Sequence, residues 1–253
     1  MILEKRMERA VLVTATYYTS PNDIRFELAL RTCDAACECG YQLLIVDGSP
    51  EAFVGELFRT RGASVLKQEE AGMGSSRREA IKAGLASGAD TIIWLEPEKY
   101  PLVPLLQPCV DLIQGDDRYD IIIPARESLE SLPYYQEVSE LRMNRAIGFA
   151  TGMPELDVAF GPRVMSRNAA ELFLGYTGQA GGDTWHILCI PILWAIADRM
   201  RITSKRVNYI HPPKQTAAET GNAAMDRKRD HQRESMVASM DAEAKRLGII
   251  GLQ

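Results

Sequence analysis

The chain has no apolar run approaching the roughly 18 residues that a membrane-spanning helix needs, and its opening MILEKRMERA has no long apolar stretch of the kind found in a secretory leader. A soluble, cytoplasmic protein without a transmembrane segment is therefore expected. A basic excess is also missing. There are 29 Lys and Arg against 34 Asp and Glu, a net charge of −5, so no global field draws in nucleic acid or an anionic membrane. Any anion must be held by a local cluster of donors. Zinc spacing is absent too: three of the five cysteines lie in RTCDAACECG, where Cys33 and Cys37 share a helical face, Cys39 is turned away, and no second ligand pair follows. The cysteines are expected to be reduced and to pack. No internal repeat and no Walker lysine motif is found, and no GxGxxG follows the first strand-like run, which reads VTATYYTSPND. Dinucleotide binding of the Rossmann type thereby loses its main support.

What is present is an apolar content of 46% over 253 residues, enough for one large domain or a core domain with an appendage. Strand-like and helix-like runs alternate through the first half. AVLVTAT (Ala10–Thr16), QLLIVDGSP with its turn, ASVLKQ, DTIIWLE and YDIIIPA read as strands. DIRFELALRTCDAACECG, with Asp23 as N-cap and Gly40 as stop, EAFVGELFRTRG, GSSRREAIKAGLASG and PLVPLLQPCVDLIQG read as helices. Five strands joined by helical crossovers predict a parallel α/β sheet. Beyond Ala125 the rhythm changes. The pattern predicts an amphipathic helix over Pro133–Phe149, a short strand or hairpin over Val158–Arg167, and a largely buried helix over Gly181–Met200 with Pro191 inside it. A strand over Arg201–His211, a loop over Pro212–Asn222 and a charged helix from Ala223 to Leu247 complete the reading.

In open parallel α/β sheets ligands bind beyond the carboxyl ends of the strands. Thr14-Ala15-Thr16 ends the first strand, Asp47-Gly48-Ser49 the second and Glu96-Pro97-Glu98 the fourth. Side chains two apart on an extended segment point the same way, and Pro97 favours extended geometry at Glu96. The two acids therefore suit either a solvated strand-end turn or a hard cation, Mg²⁺ or Mn²⁺, that carries a phosphorylated substrate.

An apolar strand with a polar end, a strand ending in Asp-Gly-Ser, the Gly-rich arginine loop AGMGSSRREAIKAG and a strand ending in acid-x-acid follow one another from Val11 to about Gln232. This order resembles the GT-A glycosyltransferases, family-2-like and mannosylglycerate-synthase-like. The resemblance implies a GT-A-like, Rossmann-like, mostly parallel sheet flanked by helices, forming a single domain with a C-terminal lid and helix. It puts Thr14, Ala15, Thr16 and Asp47 at the nucleobase and ribose, and Gly74 with Arg77 or Arg78 at the base or diphosphate. Glu96 and Glu98 stand where the family has DxD, with Glu98 as metal ligand and Glu96 on the ribose or sugar. His211, at a strand end before a Pro-rich loop, is implied to join the metal as a neutral imidazole. Lys214, Gln215, Arg227, Lys228, Arg229 and His231 lie where a mobile segment closes on the diphosphate. Most of them equally suit a solvated helix face.

Leu156–Phe173 resembles the acceptor-forming part of such enzymes, and Asp183 the carboxylate beside the reacting sugar. Asp183 also has the makings of a helix N-cap, Gly72 and Gly74 of an ordinary loop, Arg77 and Arg78 of an exposed helix face, and His211 of a surface or capping residue. Tyr17, Tyr18, Trp94, Phe160 and Trp185 are stacking candidates, with Trp94 better suited to the core. His186 is expected to pack in its helix. Asp157 and Arg163 suit either an acceptor contact or a surface hairpin. The expected division is 1–125 for nucleotide-sugar binding, 126–211 for acceptor and catalysis, and 212–253 for a C-terminal lid loop and helix.

The expected activity moves a sugar from a UDP- or GDP-linked donor to a hydroxyl acceptor, whether small molecule, glycan or lipid headgroup, with Mn²⁺ or Mg²⁺ assisting diphosphate departure. No nucleic-acid partner is expected, and a homodimer stays open. The competing readings are a nucleotidyltransferase, whose glycine-rich basic signature TYYTSPND matches poorly, and a non-catalytic nucleotide-sugar-binding protein, kept open by ExE in place of DxD.

Overall fold

The computed structural model describes residues 10–116 and 118–249. Its centre is a seven-stranded sheet: β1 Ala10–Thr16, β2 Gln42–Asp47, β3 Ser64–Lys67, β4 Thr91–Trp94, β5 Ile121–Arg126, β6 Arg163–Ser166 and β7 Ile202–Val207. The order across the sheet is β3-β2-β1-β4-β6-β5-β7. The predicted parallel strands are all present, but the fifth does not join the fourth. β6 inserts between β4 and β5 and runs antiparallel to both, with Ile93 opposite Val164 and Ile122 opposite Val164. β5 pairs in parallel with β7 on its other side. The carboxyl ends of β1, β2, β4, β5 and β7 therefore share one rim.

Both faces are covered, as the near-continuous apolar strands require. Alternate residues of β1 show the division: Val11 and Val13 enter one core with Ile92 and Trp94, and Leu12 enters the other with Ile45 and Ile93. The first core is closed by α3 (Met73–Ala86), α5 (Tyr134–Thr151), α6 (Arg167–Leu174), α7 (Ile190–Ala197) and α9 (Ala223–Arg246). The second is closed by α1 (Ile24–Glu38), α2 (Ala52–Thr60) and α4 (Gln107–Gln114). Asp23 caps α1 as expected, its carboxylate accepting from the Arg25 N–H at 2.9 Å. All five cysteines are free, with Cys33, Cys109 and Cys189 buried. Among the described residues no helix is long and apolar enough to cross a membrane.

Three expectations need correction. The predicted helix Gly181–Met200 is a 3₁₀ segment, Trp185–Leu188, followed by α7, and Pro191 sits in the first turn of α7, where its missing N–H costs nothing. The helix PLVPLLQPCVDLIQG divides likewise into a 3₁₀ segment, Tyr100–Leu105, and α4. The lid read as a loop contains α8, Pro213–Glu219, with proline again at its first position. α8 rests against α1, the Lys214 ammonium lying 2.6 Å from Glu27.

Candidate functional site

At the end of β2, Asp47 is 8% exposed, and its Oδ1 accepts from Thr16 Oγ1 (2.8 Å), Ser49 Oγ (2.6 Å) and the Ser49 N–H (3.1 Å). Ser49 Oγ accepts in turn from the Tyr18 N–H. The DGS turn is thus welded to the end of β1. Thr14 lies deeper than expected: it is 1% exposed and its hydroxyl, without a hydrogen-bond partner, does not reach the rim. Ala15 is half-buried, and Tyr17 stands 65% exposed beyond the strand, where an aromatic ring can be covered by a base. Tyr18, Trp94 and Phe160 are core residues.

Glu96-Pro97-Glu98 is a turn rather than an extended run: the Lys99 N–H donates to Glu96 O at 3.1 Å, and Thr32 Oγ1 fixes Pro97 O at 2.5 Å. Glu96 is buried and its Oε2 has no hydrogen-bond partner. Room for its carboxylate comes from Gly161, at φ +99°, where an added Cβ would stand 1.9 Å from Glu96 Oε1. Glu98 is half-buried, and burial, with the Glu96 charge alongside, raises its pKa against the opposing pull of Lys99.

From the end of β7 come Tyr209 and His211. The His211 Nδ1 lies 3.5 Å from the Tyr209 hydroxyl, and the buried Nε2 has no hydrogen-bond partner; Glu219 Oε2 of α8 is 4.0 Å away. Burial first, then the Lys99 charge, pulls the His211 pKa down to about 3, so the imidazole is neutral with a free lone pair. Tyr209 responds to Glu98 and Glu96, which puts the β4 and β7 ends within each other's field.

These atoms suit a divalent cation. Glu96 Oε2, with the Lys99 ammonium 3.8 Å away, and His211 Nε2 are buried without a hydrogen-bond partner, and carboxylate oxygens with a neutral imidazole are a donor set for Mn²⁺ or Mg²⁺. Among the described residues no three His, Cys, Asp or Glu side chains form a cage of their own. An ion held here would take the rest of its coordination from substrate phosphates and water.

The arginine loop is built differently from the expectation. Arg77 is 5% exposed, donates to Thr184 O at 2.9 Å and stacks 4.1 Å over the Trp185 ring; burial lowers its pKa to about 10. The Glu96 and Glu98 charges oppose that fall. Arg78 grips Asp183 through two hydrogen bonds, 2.5 and 2.8 Å, and donates to Tyr176 O. Asp183 caps no helix; Thr184 precedes the 3₁₀ segment. The Gly74 N–H donates to Asp183 O, and a Cβ at Gly74 would meet Asp183 Oδ1 at 1.9 Å, so glycine here lets α3 start against that carboxylate. Lys214, turned to Glu27, is not brought among the acids. Arg227, Lys228 and His231 are exposed, whereas Gln215 is buried and Arg229 is half-buried on Glu219 at 2.8 Å. His186 is buried, as expected.

Sequence reasoning missed a buried ion network beside the site. Arg126, closing β5, holds Asp157 through Nε and Nη2 at 2.8 Å each and Glu140 at 2.7 Å, and Glu140 also meets Arg233 of α9 at 3.1 Å. Asp157 therefore has no place on a surface hairpin, and its pKa is held down by Arg126 against burial. Arg163 is fully buried and donates to the carbonyls of Val158, Pro162 and Leu188, a structural role. Arg126 did carry a signal: it is a charge closing an apolar strand at the carboxyl-end rim of the sheet, as Asp47 is. Next to it a cavity of about 910 Å³ opens between α5, the β5 end and β7.

The fold is the GT-A, Rossmann-like fold of solved glycosyltransferase structures. Glucosyl-3-phosphoglycerate synthase from Mycobacterium tuberculosis superposes over 96% of this chain and 83% of its own. The TM-score is 0.62 for its complex with phosphoglyceric acid and 0.60 for its complex with Mn²⁺, UDP and glucosyl-3-phosphoglycerate, at 14% identity. Its complex with Mg²⁺ and UDP superposes with a TM-score of 0.55 at the same identity. No protein-family model matches the sequence, and no curated protein matches it.

Proposed function

We propose that the protein is a glycosyltransferase that moves a sugar from a nucleoside-diphosphate sugar, UDP- or GDP-linked, to a hydroxyl acceptor. What supports the reading is a GT-A-like fold in which Glu96 and Glu98 follow β4 and His211 follows β7, with Glu96 Oε2 and His211 Nε2 buried and without a hydrogen-bond partner. Asp47, anchored by Thr16 and Ser49, offers its second oxygen to the ribose, and Tyr17 offers a ring to the base. Glu98 and His211 hold the cation, with the buried Glu96 carboxylate as a further oxygen donor beside them. When bound, Mn²⁺ or Mg²⁺ supplies positive charge to the departing nucleoside diphosphate. Arg77 adds a fixed positive charge beneath it.

Asp183 flanks the sugar. Both its oxygens accept from Arg78, which fixes the carboxylate's orientation, so positioning of sugar or acceptor suits it better than proton abstraction. That favours retention, in which the leaving diphosphate itself takes the acceptor proton. The acceptor enters by the cavity at the β5 end. Its unpaired charges are Glu127, Glu130, Glu137 and Glu155 against Arg145 and Arg206, none with an ion partner among the described residues. A neutral or basic hydroxyl compound fits that wall better than a phosphorylated acid.

The test is a panel of UDP- and GDP-sugars assayed for hydrolysis and for thermal stabilisation, with and without Mn²⁺. Metal-dependent hydrolysis that disappears in Glu98→Ala supports the enzyme. Stabilisation without turnover in any acceptor screen shifts the reading to a binding protein. Silence toward every nucleotide sugar sinks both, and release of pyrophosphate from a nucleoside triphosphate identifies a nucleotidyltransferase instead.

A further inference from the structure

Lys99 follows Glu98 directly, and its side chain is 14% exposed. Its ammonium lies 3.8 Å from Glu96 Oε2, beyond hydrogen-bond length, and donates no hydrogen bond to any described residue. Aromatic faces enclose it instead: Nζ is 4.8 Å from the Phe160 ring centre and 5.8 Å from that of Tyr209. An ammonium has three donors, and one so nearly buried is costly while they are idle.

Of the other cations at the rim, Arg77 is given to the Thr184 carbonyl and the Trp185 ring, and three arginines are held by carboxylates. Arg126 is held by Asp157 and Glu140, Arg78 by Asp183, and Arg229 by Glu219. Two buried polar atoms without hydrogen-bond partners lie nearby, Glu96 Oε2 and the Nε2 of His211, whose Nδ1 is 3.5 Å from the hydroxyl of Tyr209, the residue whose ring flanks Lys99. The ammonium and the Glu96 carboxylate form an ion pair too long for a hydrogen bond, so the donors of one and the Oε2 of the other stay without hydrogen bonds. An anion that brings its own cation satisfies both sets, its oxygens receiving the ammonium and its cation receiving the carboxylate and imidazole.

We infer that Lys99 is a second, permanent cationic ligand of the diphosphate group, donating to its oxygens beside the divalent cation, so that the site keeps affinity for nucleoside diphosphates when divalent metal is removed. The inference rests on the donor-site reading above. Lys99→Met is the informative variant, because it preserves the length and the apolar contact with Phe160 and Tyr209 while deleting the charge. Lys99→Arg restores the charge.

Calorimetric titration of the folded full chain with UDP, GDP, ADP and CDP, in Mg²⁺ and again in EDTA, tests it. The wild type should bind at least one nucleotide in EDTA. Lys99→Met should bind it about tenfold or more weakly, the loss of a charge-assisted hydrogen bond, while Lys99→Arg stays within about threefold of the wild type. Equal binding in EDTA by the wild type and Lys99→Met overturns the inference, as does a wild type that binds in Mg²⁺ and not at all in EDTA; both leave the donor site standing. A wild type that binds none of the four even in Mg²⁺ overturns the donor site itself.

Discussion

The buried imidazole of His211 makes a quantitative demand on acid stability. Its pKa falls from the ordinary 6.5 to about 3 in the folded chain, with burial the largest cause. The unfolded chain therefore takes up a proton below pH 6.5 that the folded protein refuses until about pH 3. Protonation thus favours unfolding. The contribution is fully favourable above the unfolded value, shrinks as pH falls through the window between the two values, and is constant below it. For one such group, going from about pH 7 to about pH 5 costs about 2 kcal/mol.

The perturbation is His211→Gln, measured by urea unfolding of metal-free protein at several pH values. The variant should lose about 2 kcal/mol less than the wild type over that range, whatever its stability at neutral pH. The buried His186, whose pKa burial also lowers, acts with the same sign in both proteins and cancels in the difference. Parallel stability curves for wild type and variant would refute the reasoning, because they would mean the imidazole is as well hydrated in the folded state as in the unfolded chain.

Other expectations follow from neighbouring residues. Arg126→Met leaves Asp157 and Glu140 buried without their shared guanidinium, and chemical denaturation should show a loss of about 3–5 kcal/mol. Gly161→Ala combines a left-handed φ with a collision at Glu96; the strain should cost about 1–3 kcal/mol in unfolding experiments and also weaken Mn²⁺ binding. Asp183→Asn keeps the shape but weakens the grip of Arg78. It should lower kcat well over tenfold while leaving the donor KM within about threefold, the mark of a group that acts on the reacting sugar rather than on nucleotide binding. Lys214→Ala, by contrast, removes only an exposed pair with Glu27 and should change stability by less than about 1 kcal/mol.

The elements that the sequence made legible are those in which local pattern and tertiary position agree. The apolar runs leading to Asp47 and Glu96 are buried strands with an acid at or just past the carboxyl end, and both features show in a few consecutive letters. Elements governed by partners far along the chain were not legible. The antiparallel β6 is four residues long, and nothing within RVMS says that it separates β4 from β5. Proline misled twice. Pro191 and Pro213 read as an interior fault and a loop signal, yet each opens a helix, where a fixed φ helps. The Arg126–Asp157–Glu140–Arg233 network draws one charge from each of four segments, and any of them alone looks like a solvated residue.

The insertion of β6 also governs the order in which the chain can fold. β1 to β4 find their parallel neighbours within the first 94 residues, so that portion of the sheet can condense while the rest is still being synthesised. β5 then emerges with no partner. It stays unpaired until β6 arrives some forty residues later, and its parallel mate β7 follows after about forty more. A ribosome pausing between these points would hold an apolar IIIPA edge in the open, which makes this interval of translation the one in which a chaperone has most to protect.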